Sequence, residues 1–222
     1  MESETIYALM ITGKDPHHIP LALLSIQSFL SQTYPNKCLI IVNDGAFSFN
    51  DLNSELIVEI KLEQKKILGA LRNIALSHIP ENALCIQWDD DDWHHPDLLQ
   101  KQYAHLVQTD ADMNYLTRQV RYDLKTNAAW VARQQLEGTV LFRKKAEILY
   151  PDLSRGEDTE FFNRYQQKFP VAGFENTAHY YIRFFHGFNT TLKEHLTIHP
   201  PGIWNVSPEA KKYLIEILQK YA

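Results

Sequence analysis

Ala83-Leu-Cys-Ile-Gln-Trp88, followed without a break by Asp89-Asp90-Asp91-Asp92 and then by Trp93-His94-His95-Pro96, is the stretch on which the reading of the fold turns. A short apolar run of strand length, bounded by turn residues, is the signature of a strand buried on both faces, as in a parallel sheet. Pro96 then opens a helix-period segment that runs through Val107. In open parallel α/β sheets ligands bind beyond the carboxyl ends of the strands, so polar residues placed directly after such a run mark the first place to look for chemistry. Four adjacent carboxylates repel one another and raise each other's pKa unless a cation or a set of donors compensates them. Mg²⁺ or Mn²⁺ takes oxygen ligands, commonly one or two carboxylates plus substrate phosphates, so a hard divalent ion shared with a nucleoside diphosphate is the economical compensation. The bland alternative is a solvated acidic turn.

Outward from this stretch, apolar runs and amphipathic segments alternate. Towards the N-terminus, Ile6 to Ile11 and Cys38 to Val42 read as strands, Leu21 to Gln32 as a helix opened by Pro20, Leu56 to Ile60 as a third run and Ile67 to His78 as a helix. Strand two ends on Asn43-Asp44-Gly45, a second polar strand end. Beyond Val107, Asp112 to Val120 and Asn127 to Ala132 read as a pair of strands, Gly138 to Phe142 as another, Glu157 to Lys168 as a helix and Tyr180 to Phe185 as a late strand. Pro208 to Tyr221 is a last helix with Ser207 as N-cap and Ala210, Tyr213, Leu214, Ile217, Leu218 and Tyr221 on one stripe. The pattern is that of an α/β chain with a mostly parallel sheet flanked by helices.

The 222 residues carry 22 basic and 27 acidic side chains, a net charge of -5, with 45% hydrophobic residues, which excludes disordered and fibrous classes. That length suits one large core, so residues 1–222 are expected to form one domain. The acidic balance and the lack of a basic block argue against nucleic acid as a partner. Cys38 and Cys85 lie in apolar runs and read as buried core thiols. No stretch of 18 uncharged apolar residues and no signal-peptide pattern occurs, so a cytoplasmic chain is expected. Lys211, Lys212 and Lys220 beside the last apolar stripe would allow peripheral contact with the inner face of a membrane, but packing of that stripe on the domain is the preferred reading.

Six features, in order, carry a resemblance. Ser25-Ile-Gln-Ser-Phe-Leu-Ser-Gln-Thr-Tyr-Pro35, the Asn43-Asp44-Gly45 strand end, Gly69-Ala-Leu-Arg72-Asn73, Trp88 to Pro96 with its Asp-x-Asp pattern, Gly156-Glu157-Asp158, and Arg183-Phe-Phe-His186-Gly-Phe-Asn189-Thr190 are together similar to the family-two inverting glycosyltransferases of the GT-A fold, over about residues 6–190. The resemblance implies a nucleotide-diphospho-sugar transferase-like, Rossmann-type fold, with a nucleotide-sugar-binding half over about 1–110 and an acceptor-side half over about 111–222. It implies that Thr12 and Asp44 bind the donor, Asp44 at the base, that Arg72 lies against base, ribose or phosphate, and that Asp89 or Asp90 contacts the ribose. Asp91 would bind Mn²⁺ or Mg²⁺, with His186 as a further ligand or phosphate contact, and Asp158 would be the general base. Glu157 is expected to point elsewhere, as a cap or acceptor contact.

The implied activity is transfer of a sugar from a nucleotide diphosphate sugar, UDP by family frequency, to a saccharide or carrier-linked acceptor in surface-glycan synthesis. Two departures lie around the base: Thr12-Gly13-Lys14-Asp15 stands where the family has Thr-x-Tyr-Asn, and Asn43 replaces an aspartate. The competing readings are a nucleotide-sugar-binding module without turnover and a sugar-nucleotide pyrophosphorylase, whose Gly-rich, Arg-containing phosphate loop is missing after strand one. The remaining histidines, His17, His18, His78, His105, His179, His195 and His199, have no ligand spacing and read as surface or hydrogen-bonded residues, while His94 and His95 read as shaping the loop after the acidic run.

Overall fold

The computed structural model describes residues 4–13, 18–49, 52, 54–176, 178–187, 189 and 202–221. Lys14, Asp15, His17, Thr190, His195 and His199, and the side chains of Lys220 and Tyr221, lie outside what is described. Along the chain the elements are β1 (Ile6–Thr12), α1 (Ile19–Leu30), β2 (Lys37–Asn43), β3 (Ile57–Lys61), α2 (Leu68–Ser77), β4 (Leu84–Gln87), β5 (Asp92–His94), α3 (Leu98–Thr109), β6 (Met113–Leu116), β7 (Arg118–Asp123) and β8 (Ala128–Arg133). They continue with β9 (Leu141–Arg143), α4 (Glu157–Gln166), β10 (Val171–Phe174), β11 (Tyr181–Phe185), β12 (Gly202–Trp204) and α5 (Pro208–Tyr221).

Alternation of side chains across the pleat sorts the apolar runs onto two faces. Ala8, Met10, Leu39, Ile41, Leu84 and Ile86 pack with Ala22, Ile26 and Phe29 of α1 and Leu98, Leu99 and Leu106 of α3. Their neighbours Leu9, Ile40, Val42 and Cys85 pack instead with Leu71, Ala75 and Leu76 of α2 and Phe161, Phe162 and Tyr165 of α4. Each of these large side chains, fully withdrawn from water, contributes roughly 1.5–3 kcal/mol of transfer free energy. The result is a seven-stranded sheet of order β10-β6-β9-β4-β1-β2-β3 with helices on both faces. β1 runs parallel to β2 and β4, and β2 to β3, while β9 is antiparallel to β4 and β6. The carboxyl ends of β1, β2 and β4 therefore share one edge.

A second sheet of order β12-β8-β7-β11-β5 was not foreseen from the sequence. The expected strand Asp112 to Val120 divides after Leu116: β6 stays in the first sheet and β7 enters the second. Asn176 holds the break, its Oδ1 accepting from the backbone N–H groups of Thr117 at 3.2 Å and Arg118 at 3.1 Å while its Nδ2 donates to Arg118 O at 2.9 Å. Asp92 to His94, expected within a turn, is a strand because it pairs antiparallel with β11. One face of the second sheet, with Val120, Tyr122, Ala129, Ile182 and Phe184, packs on Ala210, Leu214 and Ile217 of α5. The stripe of the last helix is thus spent on the core, with Lys211 and Lys212 exposed on the far side, and Ser207 Oγ caps it by accepting from Ala210 N at 3.2 Å. Cys85 is buried as expected, whereas Cys38 is only half-buried, a correction that follows from its place near the start of β2. No helix among the described residues is long and apolar enough to cross a membrane.

Candidate active site

At the shared strand edge, glycine decides how closely the chain ends approach. Gly13 has φ +116, and a Cβ on it would stand 2.2 Å from Gly45 N, so β1 and β2 end in direct backbone contact and leave Thr12 and Asp44 side by side at the rim. A cavity of about 540 Å³ opens there, within the range of small-ligand sites. Thr12, Asp44, Arg72, Asp89, Asp90, Asp91 and Asp158 all line it, so seven of the eight residues singled out from the sequence converge. The eighth, His186, stands behind Asp91, with Nε2 3.0 Å from Asp91 Oδ2.

The acidic run is not one cluster. Asp89 accepts from Arg72 Nη2 at 3.2 Å, and burial still pushes its carboxyl up against the opposing pull of Arg72. Asp91 turns to His186 and to Asn189 Nδ2, the latter at 3.0 Å; burial pushes its carboxyl up, but the hydrogen bond from His186 and the charge of Arg183 outweigh this and hold it below the usual range. Asp92, the last of the four, is compensated by a set of donors in the protein interior: Tyr181 Oη donates to it at 2.5 Å and Phe184 N at 3.1 Å. Burial and the neighbouring Asp91 push it far up. Asp89, Asp91 and Asp92 thus each have a different set of protein partners, and Asp92 already belongs to β5.

Arg72 lines the cavity and is at the same time held by two carboxylates. It is buried, its Nε donating to Glu157 Oε1 at 3.0 Å as its Nη2 holds Asp89, so it ties α2 and the end of β4 to the start of α4. Burial opposes its charge, yet Asp89 and Glu157 together push it above its ordinary value. Glu157, expected to point elsewhere, is the buried partner of that bracket. Asp44 is also engaged, by Lys65 Nζ at 3.1 Å and Lys66 N at 3.3 Å, the lysine being mostly exposed. Asp158 stands half-buried on the cavity wall in the first turn of α4. Gly156, at φ +74, supplies the left-handed turn that starts this helix.

Other lining residues escaped the sequence reading. His18, for which the sequence suggests only a surface or hydrogen-bonded place, lies on the cavity wall with its ring 4.5 Å from that of His186, edge to face. Arg183 and Asn189 were quoted within the late motif without a role, and Arg121, Gln134, Glu137 and Arg155 were passed over. The usable signal for Arg121 is alternation: a charged residue between Val120 and Tyr122 on a strand must face the other way. His94, read as part of a loop, belongs instead to β5 because it pairs with Tyr181, and His95 follows directly after that strand. His94 is fully buried and stacked on Trp88 at 3.6 Å, and His95 hydrogen-bonds Tyr213 Oη at 2.9 Å.

Among the described residues no group of three or more His, Cys, Asp and Glu side chains could by itself hold a metal ion. The Asp91 and His186 pair offers a carboxylate oxygen and an imidazole nitrogen, a donor set that fits a divalent ion whose other positions belong to a diphosphate and water.

A seven-stranded, mostly parallel sheet with a ligand cavity at its carboxyl edge defines the class of GT-A, nucleotide-diphospho-sugar-binding folds. Residues 20–192 match the model of glycosyl transferase family 2, and the chain belongs to that family. Among solved structures it is similar to Staphylococcus aureus TarS 1-349 in complex with UDP-GlcNAc, at 15% identity over 87% of this chain and 62% of that one with a TM-score of 0.68. The same TarS fragment with UDP gives 16% identity, 82% and 60% coverage and a TM-score of 0.67. The mannosyltransferase PcManGT of Pyrobaculum calidifontis, in complex with GDP-Man and Mn²⁺, gives 10%, 83%, 57% and 0.61. At these identities the likeness is one of fold, and the chain spans about three fifths of the length of those structures. No curated protein matches it.

Proposed function

We propose that this chain is a metal-dependent inverting glycosyltransferase that moves a sugar from a nucleotide diphosphate sugar, UDP-linked, to a hydroxyl of a saccharide or carrier-linked acceptor in surface-glycan synthesis. The observation that carries the reading is the meeting of Thr12, Asp44, Asp91 and Asp158 in one cavity, with His186 held on Asp91 from behind at 3.0 Å. The UDP and UDP-GlcNAc complexes of TarS and the GDP-Man and Mn²⁺ complex of PcManGT support a donor of this class.

In this reading the nucleoside lies at the rim formed by Thr12 and Asp44, and Asp89 or Asp90 meets the ribose. Arg72 positions Asp89 rather than touching the donor. A divalent ion on Asp91 and His186 would supply positive charge to the departing diphosphate. Asp158 accepts the proton of the acceptor hydroxyl as its oxygen attacks the anomeric carbon and the bond from that carbon to the diphosphate breaks. Attack on the face opposite the diphosphate inverts the anomeric centre.

The test is a thermal-shift panel of nucleoside diphosphates with and without Mn²⁺, followed by UDP-sugar turnover over an acceptor panel and NMR of the product anomer. Selective, Mn²⁺-dependent stabilisation by one nucleoside diphosphate is expected, since a ligand that binds only the folded chain raises its Tm by mass action. No stabilisation by any of them would sink the reading. Binding without turnover on any acceptor would leave only a nucleotide-sugar-binding module.

A further inference from the structure

The walls of the cavity differ in how their charges are balanced. On the first-sheet side, Arg72 is matched by Asp89 and Glu157. On the second-sheet side, Arg121 of β7 and Arg183 of β11 are register partners on adjacent parallel strands, so both project from the same face of the sheet. Val120 and Tyr122 face α5 on the opposite side, which leaves Arg121 directed into the cavity that it lines. Carboxylates push Arg183 up, with Asp92 foremost after the opposing effect of burial. Arg121 is in the reverse position: burial and the like charge of Arg183 bring it down to about 10, and Asp92 does not make up the difference. Its Nε is buried and has no hydrogen-bond partner among the described residues. A half-buried guanidinium beside a second guanidinium, with a donor left over, costs the free fold stability, and an incoming anion would reverse that cost.

We infer that Arg121 is an anion-binding residue, which holds a phosphate or carboxylate group of a ligand against the second sheet, beside Arg183 and apart from the Asp91 and His186 pair. A planar guanidinium with free donors matches both groups in bidentate geometry. The anion has two sources, the donor diphosphate or an acidic group on the acceptor. The position of Arg121, on β7 and separated from β5 by β11, favours the acceptor. Gln134 lines both this cavity and a smaller groove, where Arg118 is paired with Glu175 at 3.2 Å and Arg133 adds a basic side chain on the way outward. This inference rests on the proposed function only for the identity of the ligand.

The experiment compares wild type with Arg121→Gln, and with Arg121→Lys, which keeps the charge and loses the fork. Inorganic phosphate is titrated into each protein, alone and saturated with UDP and Mn²⁺, and the Arg121 side-chain Nε signal, assigned by its loss in Arg121→Gln, is followed by NMR. UDP affinity is measured in parallel by calorimetry. The expected result is a phosphate-dependent shift of that signal and phosphate binding weakened about ten- to a hundredfold in Arg121→Gln, the range for losing a charged hydrogen bond, with a smaller loss in Arg121→Lys. The Tm of the free protein should hold or rise in Arg121→Gln, because a residue kept for binding is a burden to the empty fold. Loss of phosphate binding in the UDP-saturated protein with UDP affinity intact assigns the anion to the acceptor. Loss of UDP affinity in Arg121→Gln assigns it to the donor diphosphate. Phosphate and UDP binding equal in all three proteins overturns the inference, as does a lowered Tm with binding unchanged, which would make Arg121 a structural residue. If no protein binds UDP, the proposed function fails, and the phosphate titration of the free protein still decides the role of Arg121.

Discussion

Asp91 and Asp92 are neighbours in sequence and opposites in role. Removing Asp91 takes away a carboxylate that faces the cavity, and relief of crowding with Asp89 and Asp92 offsets the lost bonds to His186 and Asn189. Asp91→Ala is therefore expected to abolish Mn²⁺-dependent stabilisation by a nucleoside diphosphate while changing the stability of the free protein by no more than about 1 kcal/mol. Asp92→Ala strips the acceptor from the buried Tyr181 hydroxyl and the Phe184 N–H, and unsatisfied buried donors cost about 1–3 kcal/mol each, so it should destabilise the fold by at least about 2 kcal/mol. Urea unfolding of the two variants checks the contrast; equal losses would mean that both carboxylates are structural. Asp158 adds the chemical counterpart. Asp158→Asn keeps the shape and removes the basicity, so turnover should fall by roughly 10²- to 10⁴-fold, the usual span for a lost acid or base, with Mn²⁺ and UDP affinity unchanged. Near wild-type turnover in that variant would remove Asp158 from the mechanism.

At the scale of elements, the site is a product of how α2 meets the segment before α4. A Cβ at Gly69 would stand 1.8 Å from Pro151 O, and Gly69 N donates to Leu153 O at 3.0 Å, so the first turn of α2 rests directly on that backbone. This approach lets Arg72, one turn on, reach both Asp89 and Glu157. Gly69→Ala must push the two segments apart, at a cost in the range of overpacking, about 1–3 kcal/mol. It should also weaken nucleotide binding, because Asp89 loses its brace; a variant as stable as wild type in urea would show that the contact yields freely. The same scale shows what was legible in the sequence. β1, β2 and β4 and the helices between them were legible because long apolar runs and helical periods leave one arrangement that buries them. β5 and β12, three residues each, carry no pattern of their own and exist through pairing with β11 and β8. The break between β6 and β7 was hidden because it is made by Asn176, some 60 positions away in sequence. For the site, order and spacing of the motifs singled out residues that come together along one cavity. Which of them face a ligand and which, like Arg72 and Asp92, serve one another depends on tertiary partners that no local pattern announces.

For the molecule as a whole, buried imidazoles tie acid stability to the junction between the two sheets. His94, on β5, has no exposed surface, and its ring stacks on Trp88 at the end of β4 and meets Tyr181 of β11 edge to face. Burial, only partly countered by Asp91, brings it down to about 3 from the ordinary imidazole value of 6.5. Burial likewise lowers His95 and His179, which meet each other and Tyr213 of α5. Between about pH 6.5 and pH 3 the unfolded chain binds a proton at position 94 that the folded chain refuses. The stability owed to a neutral His94 is thus fully present above pH 6.5 and is lost as the pH falls towards 3, at up to about 1.4 kcal/mol for each pH unit. His94→Phe keeps an aromatic ring against Trp88 and removes the titration. Urea unfolding at pH 7 and pH 5 should show wild type losing stability over that interval and His94→Phe losing clearly less, by a margin of about 1–2 kcal/mol. The same pH slope in both proteins would mean that the acid sensitivity resides in other groups, such as Asp91, whose carboxyl is also held low and whose contribution is lost in the same direction at lower pH. Because Asp91 directly precedes β5 and His94 ends it, acid that protonates the histidine also loosens the strand next to the cavity carboxylate. Nucleotide binding should therefore weaken in step with unfolding as the pH falls, and ligand-saturated wild type should shift its acid transition to lower pH than the free protein.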